Sequence, residues 1–341
     1  MPVLVIRVAI LARDGVANAG LGMTLDILAA ANRIAAGSPR PRATFAVEVL
    51  AVTRRHVATA TGHRMQGDAV ISDWKAKRGD IVVVPGITLP TPREMIAALE
   101  ARETASVTEW LAAQWRAGAT LAASCSATFL LAEAGLLDKK EATTSWFLAP
   151  LFRSRYSRVK LRSDHVLTRD GRLMCAGAAH AQADLTLAIV RERLGDPVAD
   201  LCRRYLLLDE RSSQTPYIHV HQFTATDPDL AAAEAWVRKN LAREFAIPDL
   251  ARALALGPRT LARRIERAAG VSPIAFVQRI RAETALDLLR TAGLAFEEVA
   301  AQVGYRNAGA LRRILRRETG RRVREIRGEK ADQTAKLAAP T

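Results

Sequence analysis

LARRIERAAG (residues 261–270) and LRRILRRETG (residues 311–320) align without a gap at an offset of fifty residues. In each copy two apolar residues stand four apart, Leu261 and Ile265 in the first and Leu311 and Leu315 in the second. On a helix that spacing stacks them on one face, and Arg263 and Arg313 then point away from it. A short apolar-periodic segment precedes each copy: LARAL at 250–254 and VAAQV at 299–303. Turn chemistry separates the two parts, Leu256-Gly257-Pro258 in the first and Gly304-Tyr305-Arg306-Asn307 in the second. Pro258 suits the opening turn of the helix that follows, where its missing N–H costs nothing. Two copies are too few for a solenoid. The reading is a duplicated unit of short helix, tight turn and second helix.

Working outward, helical periods recur at 229–243, 248–256, 258–268, 273–291, 296–303 and 308–318, with no strand pattern among them. The chain carries a formal net charge of +15, and residues 229–330 hold 21 Lys and Arg against 12 Asp and Glu. Nearly all of these cations are Arg, whose planar fork suits phosphate and guanine. A helix entering a major groove reads bases with its outward side chains, while flanking cations hold phosphates. On that basis Arg259, Arg263, Arg312 and Arg313 are the candidate base contacts. Arg267, Arg316, Arg317, Arg321 and Arg322 are the candidate phosphate contacts. The partner implied is double-stranded DNA. A non-specific basic protein needs charge but not two such readers.

Toward the N-terminus the pattern changes. Strand signals at 3–11, 45–52, 81–84, 120–123, 165–168 and 173–176 alternate with helical ones at 21–35, 104–116, 126–133 and 181–194. Arg169-Asp170-Gly171 is a hairpin signal, and Gly195-Asp196-Pro197 stops the last helix. Such alternation predicts an α/β domain with a mostly parallel sheet. The expected organisation is an α/β domain at 1–208, a linker at 209–228, an all-α double helix-turn-helix domain at 229–328 and a disordered tail at 329–341.

No stretch reaches the roughly 18 apolar residues that a membrane helix needs, and the apolar start, MPVLVIRVAIL, reads as a buried first strand rather than a signal peptide. Cys125, Cys175 and Cys202 are odd in number and far apart. They fit no metal-ligand spacing and favour a reducing cytoplasm. No cofactor is expected.

Residues 229–328 resemble the AraC/XylS family DNA-binding domain, the first unit through LARALALGPRTLARRI (250–265) and the second through VAAQVGY (299–305) with LRRILRRETG. Gly257 stands where that family usually has a polar cap, and Gly309 costs about 1 kcal/mol of helix propensity at the start of the second reading helix. The N-terminal part resembles the PfpI-type, class I glutamine amidotransferase-like fold through VVVPG (82–86), ASCSATFLLA (123–132), EAGLLD (133–138), ATTSW (142–146) and GAAHAQADL (177–185). In this order the two resemble GlxA-type regulators of the AraC family. The resemblance implies effector-controlled transcription, a homodimer formed through the N-terminal domain, and RNA polymerase as a further partner. It also implies an amino acid or amine-like small-molecule effector, held near Gly86, Cys125, Ser126, Ser145 and Trp146. In catalytic relatives the turn cysteine is a nucleophile, so a PfpI-type hydrolase or glyoxalase-like enzyme using Cys125 is the alternative. Ser145 stands where such relatives commonly have His, and Asn18-Ala19-Gly20 where they have Glu. No catalytic residue is therefore expected.

Overall fold

The computed structural model describes residues 3–37, 43–88, 91–218, 220, 224 and 227–327. The chain divides into two compact units between Gln214 and Thr215. The first is built on a seven-stranded sheet. Its strands lie in the order Leu167–Asp170, Leu173–Ala176, Thr120–Ser124, Ile81–Val84, Leu4–Leu11, Ala43–Ala51 and Ala69–Val70. All neighbours are parallel except the Leu167–Asp170 and Leu173–Ala176 pair, the expected hairpin.

Strand Leu4–Leu11 shows why its sequence is apolar throughout its second half. Ile6, Val8 and Ile10 enter one core, while Ala9 and Leu11 enter the other. Ile81 and Val83 alternate with Val82 and Val84 in the same way. A strand covered on both faces has no polar side to show. Helices Asn18–Ala36, Ala181–Leu194 and Asp196–Tyr205 cover the first face. Helices Pro92–Glu100, Arg102–Arg116 and Thr128–Glu133 cover the second.

Three local differences from the sequence reading have physical causes. The strand expected at 165–168 lies two residues later, because His165 pairs instead with Ser213 in an isolated bridge. Gly195-Asp196-Pro197 ends one helix and opens another, since Gly195 sits at φ +91° and Pro197 falls in the first turn of Asp196–Tyr205. Helix Pro92–Glu100 was missed because it is short and buries only Met95 and Leu99. Its start is fixed by a reciprocal cap, Thr91 Oγ1 accepting from Glu94 N and Glu94 Oε2 from Thr91 N.

The described part of the second unit is helical apart from turns: Pro228–Lys239, Ile247–Ala253, Pro258–Ala269, Pro273–Thr291, Phe296–Gln302 and Ala308–Thr319. The long helix Pro273–Thr291 touches both repeat helices. Ser272 caps its start through Ala275 N, and Pro273 occupies the position that loses no hydrogen bond. Its residues Ala282, Ala285 and Leu289 join Phe296, Val299, Leu311 and Leu315 in one core. Within the stretch read as linker, Val220 N donates to Glu283 of this unit, while residues 219, 221–223 and 225–226 lie outside the described residues, as does the expected tail.

Candidate functional site

Two sites emerge, one in each unit. In the second unit both repeat helices form where the sequence places them. Each ends at a glycine in the left-handed region, Gly270 at φ +68° and Gly320 at +71°. Leu261, Ile265, Leu311 and Leu315 are fully buried. Arg259, Arg263 and Arg267 are exposed on the outer side of the first helix, and Arg312, Arg313, Arg316 and Arg317 on that of the second.

These cations are not equivalent. Among the described residues, no carboxylate pairs with Arg259, Arg263, Arg267, Arg313 or Arg316. Arg317, in contrast, donates to Glu318 at 2.7 Å and to Gln278 at 3.1 Å. Arg312 lies over the Phe296 ring, 5.0 Å from its centroid. Arg321 and Arg322 are exposed beyond the second helix. Arg264 turns back to pair with Asp229.

The two turns differ. The first places Ala255 in the left-handed region at φ +53°, and the second uses Gly304 at +78°. A Cβ on Gly304 would meet the Leu241 carbonyl oxygen at 2.2 Å, so only glycine fits there. Asn307 opens the second repeat helix, its Oδ1 accepting from Gly309 N at 2.7 Å. That cap offsets part of the propensity cost of Gly309.

In the first unit the chain runs from the central strand Leu4–Leu11 to one side, then returns to the other side of it with Ile81–Val84. The carboxyl ends at such a reversal are where open α/β sheets bind ligands. Arg13, Gly86 and Cys125 follow the carboxyl ends of three neighbouring strands. Cys125 takes φ +55°, rare for a residue with a side chain. The elbow packs tightly on the turn beside it. A Cβ on Gly86 would meet Cys125 Cβ at 2.8 Å and Ser126 Oγ at 3.1 Å. The room that Gly86 leaves is therefore taken by the elbow itself. Ser126 Oγ donates to Ile87 O at 2.8 Å and accepts from Ile87 N at 3.0 Å.

Cys125 is 7% exposed, and burial pushes its thiol above the ordinary range. The Ser145 and Ser126 hydroxyls offset part of that shift, and no histidine or carboxylate contributes to it. Ser145 faces the thiol from a fully buried position without a well-formed hydrogen bond of its own. Trp146 is half-buried and stacks edge-on against Phe147. Asn18, where enzymatic relatives were expected to carry Glu, accepts from Thr61 Oγ1. Gly86, Cys125, Ser126 and Ser145 are thus brought together.

Sequence reasoning missed Arg13, which is 8% exposed. It borders a narrow crevice with Pro85, Ile87, Met95 and Ser126. Its Nε donates to Glu103 at 2.8 Å and its Nη2 to Thr104 Oγ1 at 3.1 Å. Its position just past a strand carries no local signal of burial, since its partner Glu103 lies 90 residues away.

Fold and sites define a class: an open α/β unit with a cysteine elbow, followed by a tandem helix-turn-helix unit. The chain belongs to the DJ-1/PfpI family, whose model matches residues 6–192, and a helix-turn-helix domain model matches 250–329. The chain is similar to HTH-type transcriptional regulator GlxA of Rhizobium meliloti (strain 1021), 26% identical over 196 residues, covering 56% of this chain and 59% of that one. It is also similar to HTH-type transcriptional regulator CdhR of Pseudomonas aeruginosa, 24% identical over 289 residues, covering 80% and 83% of the two chains. The match thus spans under two thirds of GlxA. An AraC family transcriptional regulator from Pseudomonas putida superposes at a TM-score of 0.50 and 20% identity, over 59% of this chain and 99% of that one, which shows the shared fold.

Proposed function

We propose that this chain is a sequence-specific DNA-binding transcriptional regulator controlled by a small-molecule effector. The observation that carries the proposal is the pair of repeat helices, each with buried Leu or Ile on one side and uncompensated Arg on the other. A solvated structural helix gains nothing from holding five unpaired cations on two matched faces. A phosphate-lined groove supplies their counter-charge. Arg259, Arg263 and Arg313 are the base readers. Arg267 and Arg316 take phosphates, with Arg321 and Arg322 beyond the second helix. Arg312 and Arg317 are held by Phe296 and Glu318, and contribute less.

The effector is amino acid or amine-like and binds beside Gly86, Cys125, Ser126, Ser145 and Trp146. The thiol is not a covalent catalyst in this reading. Its raised pKa keeps it protonated, and Ser145 is no general base. The strained elbow is the feature that favours the alternative of a PfpI-type enzyme. Turnover of an amide, ester or glyoxal substrate that disappears in Cys125→Ser would establish that alternative. The proposal includes a homodimer through the first unit, whose exposed Leu201, Tyr205 and Leu207 supply apolar surface, and RNA polymerase as partner on the promoter. It also places the protein in the cytoplasm, where DNA lies and the three free cysteines stay reduced. Among the described residues no helix is long and apolar enough to cross a membrane. Selection of bound sites from random duplex DNA tests the central claim. A single enriched motif is expected, and recovery of unrelated sequences would refute it.

A further inference from the structure

Gln214 closes the first unit and is covalently joined to Thr215, the first residue of the second. Its side chain is not on the surface: the residue is 3% exposed and sits in a seat made for it. Gln214 Nε2 lies within hydrogen-bond distance of Thr144 O (3.0 Å), His165 O (3.0 Å), Ser163 O (3.2 Å) and Thr143 Oγ1 (3.3 Å). Its Oε1 accepts from Ala178 N at 3.0 Å. Gly177 makes the space, since a Cβ there would meet Gln214 Cδ at 2.2 Å. The seat adjoins the cysteine elbow. Thr144, whose carbonyl receives Gln214, sends its own hydroxyl to Cys125 O at 2.8 Å. Ala176, which precedes Gly177, is the strand partner of Ser124.

The residues before Gln214 are laced to the same unit. Gln214 N and Ser213 Oγ donate to Asp164 O, and Val166 N donates to Ser212 O. Arg211 Nη2 donates to Asp184 Oδ2 at 2.6 Å and to His180 O at 2.8 Å.

We propose that this seat is a ligand subsite for a primary carboxamide, occupied in the resting protein by the Gln214 side chain as an internal ligand. A ligand carrying that group displaces Gln214 and frees residues 211–214. The donor pattern selects the chemistry. The seat offers several acceptors to one nitrogen and a single N–H to the atom beside it. A carboxamide supplies both complements. A carboxylate turns acceptors toward acceptors, and an ammonium leaves the Ala178 N–H without a partner. Four freed residues lengthen the tether to the DNA-binding unit by up to about 14 Å. The inference rests on the effector-controlled reading of this protein and gives that effector a carboxamide in addition to its amine or amino-acid group.

The test uses the full chain and no DNA, so its failure is separable from failure of the regulator reading, which DNA-site selection judges alone. In Gln214→Ala the seat is vacated, and propionamide reproduces the missing atoms. At about 100 mM, propionamide raises the Tm of Gln214→Ala, as any ligand of the folded state must, while propionate and propylammonium do not. The shift disappears in Gln214→Ala combined with Gly177→Ala, which fills the space. Trypsin cleavage after Arg211 is about tenfold faster in Gln214→Ala than in wild type, as expected once local protection is lost. In wild type, propionamide accelerates that cleavage. Equal shifts with all three probes, or none with propionamide, overturn the carboxamide subsite. Unchanged cleavage after Arg211 in Gln214→Ala, or in wild type with propionamide, overturns displacement of Gln214 as the release step.

Discussion

Burial sets the behaviour of each cysteine before any chemistry does. Cys125 is held protonated inside its elbow. A raised pKa and burial both reduce the thiolate open to attack, so iodoacetamide should label Cys125 at pH 8 more slowly than free cysteine. Labelling at or above the free rate would mean an activated thiol and would restore the enzymatic reading. Cys175 is pushed up to about 12 by complete burial in its strand. The folded state therefore keeps its proton where the unfolded chain, near 9, has lost it. That contribution to stability is present below pH 9 and is lost as pH rises toward 12. Chemical denaturation between pH 8 and pH 11 should show the decline, and Cys175→Ala should flatten it. Cys125 as an elbow was legible in the sequence because its neighbours form a recognisable strand-to-helix turn. Arg13 and Gln214 were not, because nothing local distinguishes a buried Arg or Gln from an exposed one. Their partners at Glu103, Thr144 and His165 are 49 to 90 residues away.

At the level of elements, the strongly periodic segments were legible to within a few residues. The repeat helices, the long helix and the central strands carry their apolar pattern on every turn or every second residue. What escaped was short or aperiodic. The hairpin His56–Ala58 with Arg64–Gln66 and the edge strand Ala69–Val70 bury too few side chains to leave a pattern. The two turns make opposite predictions. Ala255 is exposed at φ +53°, where glycine is unstrained, so Ala255→Gly should stabilise the second unit by about 1 kcal/mol. Gly304→Ala meets the Leu241 carbonyl at 2.2 Å and should destabilise it by several times that amount, on the order of 3 kcal/mol. Denaturant titration of both variants decides the matter, and a stabilised Gly304→Ala would show that the turn can relax.

For the whole molecule the decisive question is whether both repeat units read DNA at once. They share the long helix Pro273–Thr291 and are held as one compact body, so their reading helices cannot seek separate sites independently. Two such units in one chain engage successive major grooves about one helical turn, or about 10 bp, apart. Each chain should therefore protect two short elements on one face of the duplex. The substitutions assign them. Arg263→Ala should cost about 1–3 kcal/mol and relax sequence preference in one element, and Arg313→Ala should do the same in the other. Arg267→Ala, at a proposed phosphate contact, should weaken every sequence alike and lower the salt slope by about one. Asn307, which the sequence reading took only as part of a turn, makes the second element more secure by capping its reading helix. Hydroxyl-radical footprints of the wild type and the three variants, with binding titrated against salt, measure all of this together. A single protected block, unchanged by Arg313→Ala, would show that the second unit positions the first and reads no bases.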